Sequence, residues 1–388
     1  MTRFYETGIA QQASVPVQRA LAFKYLLEHK AIWIDEDELI VGERGPAPKA
    51  TPTYPEVCLH SEQDLAIFDA RPKVPFAVDE QTRECYRTDI IPFWRGKSIR
   101  EKIFAHMSPA WLAAYETGIF TEFQEQRAPG HTVLGDKIYR KGFEQLKSEI
   151  ADTLATLDFY HDREALGKKE ELTAMAVAAD ALIAYAARHA ARLRQMAAEQ
   201  DDPLRKAELL RMAAICKHVP AQAPRTFWEA LQYYWFVHVG VITELNPWDA
   251  FNPGRLDQHL YPFYKKECAN GTLTRERAQE LLQALWIKFN NHPAPPKTGV
   301  TGKESNTYVD FALINLGGVT RQNSDAVNEL TYLILDVVEE MRLLQPSAMC
   351  QISKKNPDRF VKRALEIVRT GFGQPSLFNT DAIVQELV

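Results

Sequence analysis

The segment Phe227–Ile242, FWEALQYYWFVHVGVI, restricts the fold more than any other. Thr226 and Glu229 have capping-box spacing before Ala230, which predicts a helix start. The helix that follows is apolar on nearly all sides. A helix with almost no polar face has to be enclosed by its neighbours, so the chain must build a thick, multilayered protein rather than a small bundle. With 388 residues, 46% of them hydrophobic, there is enough apolar material to do so. At about 150 residues per domain, this length allows two or three domains or one large barrel.

The surrounding pattern points to an α/β protein. Ala278, Leu281, Leu282, Leu285, Trp286 and Phe289 keep the i, i+3, i+4 rhythm of one helix face, and Ala326–Met341 repeats it. Pro357 starts a third helix, with Phe360, Val361, Ala364, Leu365 and Val368 as its apolar stripe and Gly371 as its stop. From about Lys147 to Cys216 the Ala, Glu, Lys and Arg content predicts two or three long amphipathic helices outside the core, with a turn at Asp201-Asp202-Pro203. Strand candidates are Ile32–Ile34, Leu39–Gly42, Tyr308–Asn315, Met349–Ile352 and Ser376–Phe378. The last three alternate with helices at Asn323–Arg342 and Pro357–Thr370, the βαβ pattern of a sheet or barrel wrapped by helices. The N-terminal third reads as irregular, with ERGPAPKATPTYPE and QRAPGHTVLGD as loops dense in Gly and Pro.

Several functional classes drop out. A net charge of −5 argues against nucleic-acid binding through a basic surface. No apolar run is long enough to span a bilayer, and MTRFYETGIAQQ has no apolar core of a secretory signal, so a cytoplasmic location is expected. The five cysteines, Cys58, Cys85, Cys216, Cys268 and Cys350, form no CxxC pair, and neither a disulfide scaffold nor a metal site is expected. P-loop, GxGxxG, HExxH and GxSxG motifs are missing.

What remains is a set of polar groups inside apolar or aromatic segments. His131 follows Pro129-Gly130, where an imidazole can face a ligand; an imidazole satisfying its own loop fits the same spacing. Asp249 follows the apolar helix and could grip a hydroxyl or ammonium group, or cap a helix, or pair with Arg255. Asp310-Phe311 opens an apolar run, where the carboxylate needs a partner and the ring could wall a pocket. Glu304, Asn315, Gln351 and Asp381 are weaker cases, and Lys354-Lys355 reads as a solvated pair. These residues fit an enzyme acting on a small polar metabolite, and equally a binding protein with a polar pocket.

A series of segments resembles the glycyl radical enzymes, the pyruvate formate-lyase superfamily. They are ELIVGERG (Glu38–Gly45), TYPE (Thr53–Glu56), IIPFWRGK (Ile90–Lys97), EQRAPGHTVLGDKIYRKGF (Glu125–Phe143), WDAFNPGRLDQHLYPFY (Trp248–Tyr264), LWIKFNN (Leu285–Asn291), LLQPS (Leu343–Ser347) and GQPSLFNTDAIVQEL (Gly373–Leu387). They follow the family's order along nearly the whole chain. The resemblance is greatest to members that dehydrate trans-4-hydroxy-L-proline to 1-pyrroline-5-carboxylate. It implies substrate contacts from Phe123, His131, Asp249, Asp310 and Phe311. It also implies a ten-stranded α/β barrel wrapped by long helices, of which this chain is the N-terminal half, residues 1–388.

The family mechanism implied by the resemblance begins with a radical S-adenosylmethionine activase. It places a radical on a backbone glycine, which oxidises a cysteine to a thiyl. The thiyl removes hydrogen next to the ring nitrogen, and the hydroxyl leaves as water with help from a Cys-x-Glu carboxylate. His131 and Asp249 would hold that hydroxyl, while Asp310 and Phe311 would position the ring amine and wall the pocket. Family members are commonly homodimers.

One departure from the family is plain: none of the five cysteines is followed two residues later by Glu. The catalytic Cys loop and the glycine-radical domain are therefore expected outside this chain, which would be inactive alone. A fragment, an interrupted gene or a split enzyme completed by a separate C-terminal chain would each give such a sequence. The alternatives in function are another glycyl radical lyase, of the glycerol or diol dehydratase or formate acetyltransferase kind, and a non-catalytic half-domain that only binds a metabolite.

Overall fold

The computed structural model describes residues 1–388 except 73, 121–131, 134, 245–250, 299–301, 303–311 and 388. Its principal helices are α1 (Val15–His29), α2 (Phe143–Ala155), α3 (Ala165–Glu199), α4 (Pro203–His218), α5 (Phe227–Glu244), α6 (Leu256–Ala269), α7 (Arg275–Asn290), α8 (Glu329–Met341), α9 (Asp358–Arg369) and α10 (Thr380–Leu387). Helix α5 lies at the centre, and apart from Val241 and Glu244 all its residues are buried. Its cap is half of the expected box. Thr226 Oγ1 accepts from the Glu229 N–H at 3.2 Å, but the Glu229 carboxylate takes the Arg225 N–H at 2.7 Å instead of returning to Thr226. The amphipathic region resolves into α2, α3 and α4, with Asp202 capping α4 through the N–H groups of Leu204 and Arg205.

Among the described residues five short strands run parallel. They are β1 (Thr132–Val133), β2 (Phe251–Asn252), β3 (Leu313–Gly317), β4 (Ser347–Ile352) and β5 (Ser376–Asn379). β1 pairs with β2, setting Thr132 opposite Phe251. β3 pairs with β4 and β4 with β5, setting Cys350 opposite both Leu316 and Leu377. Between the two groups a parallel bridge joins Gly254 to Ile314, and the Asn315 N–H donates to the Gly254 carbonyl at 2.8 Å. The strands thus form one run in the order 1-2-3-4-5, which agrees with half of a ten-stranded barrel.

Burial alternates along the strands with the period of two that a pleated strand imposes. Ile314, Leu316, Ala348 and Cys350 belong to one apolar cluster with Leu260 of α6, Leu333 and Ile334 of α8, and Phe360 and Ala364 of α9. Leu313, Asn315, Ser347, Met349 and Gln351 alternate with them and are half-buried. Parallel sheets are ordinarily covered on both faces. Among the described residues, helices cover one face here and the other stays partly open. β5 is an edge, with Ser376, Leu377 and Asn379 exposed.

Two expected strands are not strands. Side chains of α5 bond the backbone at Leu39, Val41 and Gly42: Gln232 Oε1 accepts the Val41 N–H at 2.9 Å and Gln232 Nε2 donates to the Val41 carbonyl at 2.8 Å. Trp228 Nε1 donates to the Leu39 carbonyl and Trp235 Nε1 to the Gly42 carbonyl, at 2.9 and 2.8 Å. Apolar alternation therefore marks a buried segment sewn onto α5 rather than a ladder. Ile32 and Ile34 pack on the core with Trp33 exposed, and no strand lies beside them among the described residues. The N-terminal third is also more helical than expected. Helices Glu62–Ala70 and Ile99–His106 each begin with a complete capping box, Ser61 with Asp64 and Ser98 with Glu101.

Candidate functional site

Phe123, His131, Asp249, Asp310 and Phe311 all lie outside the described residues, as does Glu304. The framework next to them is described. The chain resumes at Thr132 after residues 121–131, at Phe251 after 245–250 and at Ala312 after 303–311. Thr132 and Phe251 begin β1 and β2, and Ala312 immediately precedes β3. Because the three strands are parallel neighbours, they begin side by side at one end of the sheet. Segments far apart in sequence thus lead into one edge. In many open α/β sheets the ligand sits at the other edge, beyond the carboxyl ends of the strands.

That edge rests on a rigid support. The Tyr234 hydroxyl is 3.0 Å from Nδ1 of His238 and 3.4 Å from the Phe251 carbonyl. His238 stacks on Trp235 at 4.9 Å and lies 5.9 Å from the Phe251 ring. Burial pushes its pKa well below the usual range, so the ring is neutral. Asn252 Oδ1 accepts the Leu313 N–H at 2.7 Å, substituting for a ladder bond between β2 and β3.

At the far end of β3 the sequence GRLD of 254–257 clamps the strand. Arg255 donates to the carbonyls of Gly317 and Val319, both at 2.8 Å. Asp257, fully buried, accepts from the Gly317 N–H at 2.8 Å and from the Thr331 hydroxyl at 2.7 Å. Burial raises its pKa. Gly317 has φ +69, and a Cβ there would meet Phe360 at 2.6 Å; Gly318 has φ +72, with Gln351 Cβ at 2.9 Å. Only glycine fits this turn.

Two of the weaker candidates meet on the open face. Gln351 Nε2 donates to Asn315 Oδ1 at 3.0 Å, and the Thr380 hydroxyl donates to Gln351 Oε1 at 3.1 Å. This amide ladder crosses β3 and β4 to the start of α10. Asp381 has a supporting role, accepting from Ser353 Oγ at 2.6 Å and the Lys354 N–H at 3.0 Å, bonds that hold its carboxyl below the usual range. Lys354 and Lys355 are exposed, as expected. Sequence reasoning missed β1, β2, His238, Asn252, Asp257 and Thr380. A signal existed for His238, a lone imidazole in an otherwise apolar helix, but two-residue strands carry no periodicity.

The thiols sit elsewhere. Cys350 is fully buried on the helix-covered face, and burial pushes its thiol up to about 12. Cys58 and Cys216 are buried as well, while Cys85 is exposed and Cys268 is partly so. None precedes a glutamate by two residues. Among the described residues no group of three His, Cys, Asp or Glu side chains could hold a metal ion. No described helix is long and apolar enough to cross a membrane.

Comparison with known proteins gives a consistent result. The chain is 55% identical over 374 residues to the trans-4-hydroxy-L-proline dehydratase of Clostridioides difficile, covering 96% of this chain and 47% of that protein. It superposes with a TM-score of 0.94 and 54% identity on the crystal structure of hydroxyproline dehydratase from the same organism with trans-4-hydroxy-L-proline bound, covering 100% of this chain and 49% of that one. A glycyl radical enzyme of Archaeoglobus fulgidus gives a TM-score of 0.89 at 32% identity, covering 99% of this chain and 50% of that one. The chain therefore spans about half the length of the relatives it matches. The family model described as pyruvate formate lyase-like matches residues 1–388, and the chain belongs to that family.

Proposed function

We propose that this chain is the N-terminal, substrate-binding part of a glycyl radical hydro-lyase that dehydrates trans-4-hydroxy-L-proline to 1-pyrroline-5-carboxylate. The observation that supports this most is the convergence of three motifs on one sheet edge. QRAPGH leads into β1, WDAF into β2, and the Asp310-Phe311 pair into β3, three parallel neighbours. The relative with the same architecture, at 54% identity, was crystallised with this substrate.

In this reading His131 and Asp249 hold the leaving hydroxyl, because hydroxide leaves poorly unless a positioned donor assists it. Asp310 takes the ring ammonium, and Phe123 and Phe311 wall the ring. The glycyl radical, installed by a radical S-adenosylmethionine activase, supplies hydrogen abstraction from the part of the enzyme outside this chain, together with the Cys-x-Glu loop. The described cysteines suit no such role: those on or near the sheet are buried, with Cys350 held protonated. The chain alone is then inactive, and residues 1–388 form one half of a single barrel domain. The complete enzyme works as a homodimer in an anaerobic cytoplasm.

The test is Asp249→Asn in the completed, activated enzyme. Turnover of hydroxyproline should fall at least a hundredfold while the glycyl radical signal in electron paramagnetic resonance keeps its wild-type yield, a loss of about 2.7 kcal/mol in transition-state stabilisation. Wild-type turnover in this variant would remove Asp249 from the site.

A further inference from the structure

Asn252 stands where two of the three converging segments meet. It is 4% exposed, and its Oδ1 accepts the Leu313 N–H at 2.7 Å. Two residues further along, the Gly254 carbonyl accepts the Asn315 N–H at 2.8 Å. In a parallel pair such bonds are evenly spaced. One step back from Gly254, the acceptor for the Leu313 N–H would be the main-chain carbonyl of Asn252. The side-chain carbonyl of the same residue takes that proton instead. The start of β3 is therefore held to β2 by a side chain, whereas its end is clamped by Arg255 and Asp257.

The bond also has a symmetrical place in the sequence. Asp249 stands three residues before Asn252, and Asp310 three before Leu313. Three residues reach at most about 11 Å. The two carboxylate segments are thus tied together close to both of their candidate residues. β2 itself is held from other sides. Thr132 and Val133 of β1 pair with Phe251 and Asn252, and the Tyr234 hydroxyl lies 3.4 Å from the Phe251 carbonyl. Loss of the Asn252 acceptor would free the start of β3 against a β2 that stays in place.

We propose that Asn252 is a positioning residue, which sets the separation between the Asp249 and Asp310 segments through its bond to the Leu313 N–H. This role rests on the dehydratase reading, in which Asp249 holds the leaving hydroxyl and Asp310 the ring ammonium of one substrate molecule. Two side chains that grip two groups of the same small ring have to keep a fixed distance. A misplacement of about 1 Å can cost on the order of a hundredfold in rate. Leucine at 252 has a similar volume and no acceptor, alanine removes the acceptor without bulk, and aspartate keeps it.

The experiment measures turnover of hydroxyproline by the completed, activated enzyme, well below the thermal midpoint of each variant. Asn252→Leu and Asn252→Ala should each lower kcat at least tenfold, while the glycyl radical signal in electron paramagnetic resonance keeps its wild-type yield. Asn252→Asp should restore kcat to within threefold of wild type. In an Asp249→Asn background, Asn252→Leu should cost less than threefold more, because the group it positions is already lost. Hydrogen exchange in the peptide that carries the Leu313 amide should quicken in the Leu and Ala variants and not in Asn252→Asp. An asparagine that only supports the fold would shift thermal midpoints and leave kcat alone. The proposal is overturned by wild-type kcat in the Leu and Ala variants, by an equal loss in Asn252→Asp, or by a full tenfold loss on top of Asp249→Asn. A wild-type enzyme that carries the radical and leaves hydroxyproline intact would overturn the dehydratase reading, and this role with it.

Discussion

Lys288 is 2% exposed and carries its charge into the core between two carboxylates, Glu38 and Glu43. His292 completes the group. Its Nδ1 donates to the Lys288 carbonyl at 2.6 Å, and its Nε2 lies 3.1 Å from both the Arg44 N–H and Glu43 Oε2. Only a neutral ring can accept from Arg44, and burial lowers the His292 pKa accordingly. Glu43 is held down at about 2: burial would raise it, but the Lys288 ammonium against its carboxylate draws it down. Both shifts have the same consequence for pH. The unfolded histidine takes a proton below about 6.5 and the folded one resists it. The Glu43 contribution is present above about 4.5 and is lost as pH falls toward 2. Glu38, raised by burial, offsets part of this. Urea midpoints should therefore fall below pH 6.5 and more steeply below 4.5, and Glu43→Gln should flatten the lower limb. An unchanged profile in that variant would contradict this assignment. Lys288→Met leaves two buried carboxylates without their cation and should cost about 3–5 kcal/mol. Nothing in the sequence announced this group, because its members come from ELIVGERG and from LWIKFNN with the His292 that follows it, about 250 residues apart. Asp249 and His131, by contrast, stood out because polar residues in apolar or Pro-Gly contexts are conspicuous in one dimension.

At the scale of elements, helices were legible and strands only partly so. The 3.6-residue rhythm of α7, α8 and α9 is long enough to be read, and α5 declared itself by having no polar face. β3, β4 and β5 were found through their alternation with helices, with boundaries shifted by a few residues. β1 and β2 are two residues each, held by their neighbours' backbones, and a two-residue strand has no pattern of its own. Leu39–Gly42 was misread for a physical reason: Gln232 offers a donor and an acceptor at ladder spacing, so Val41 satisfies its backbone groups without a partner strand. Gln232→Leu should orphan the Val41 N–H and carbonyl at about 1–3 kcal/mol each. Chemical unfolding would measure it, and a loss under about 0.5 kcal/mol would mean the bonds are dispensable, the range typical of ordinary surface substitutions.

At the scale of the whole molecule, the described residues present a five-strand parallel run covered by helices on one face. Asn315, Met349 and Gln351 remain on the open face, and β5 is left as an edge. Such an edge is a template for further pairing. The isolated chain should accordingly self-associate, and a C-terminal half from the Clostridioides difficile relative should suppress this and raise its thermal midpoint. Sedimentation of the chain with and without that half would show it, and a monodisperse chain indifferent to the added half would contradict the half-barrel account. The most direct test of the central claim uses the same mixture, activated anaerobically with a radical S-adenosylmethionine activase and reductant, and supplied with trans-4-hydroxy-L-proline, glycerol or isethionate. The account predicts a glycyl radical and 1-pyrroline-5-carboxylate from hydroxyproline, with the other two substrates left unchanged. A complex that carries the radical but leaves hydroxyproline intact, or that turns over glycerol or isethionate instead, would contradict it.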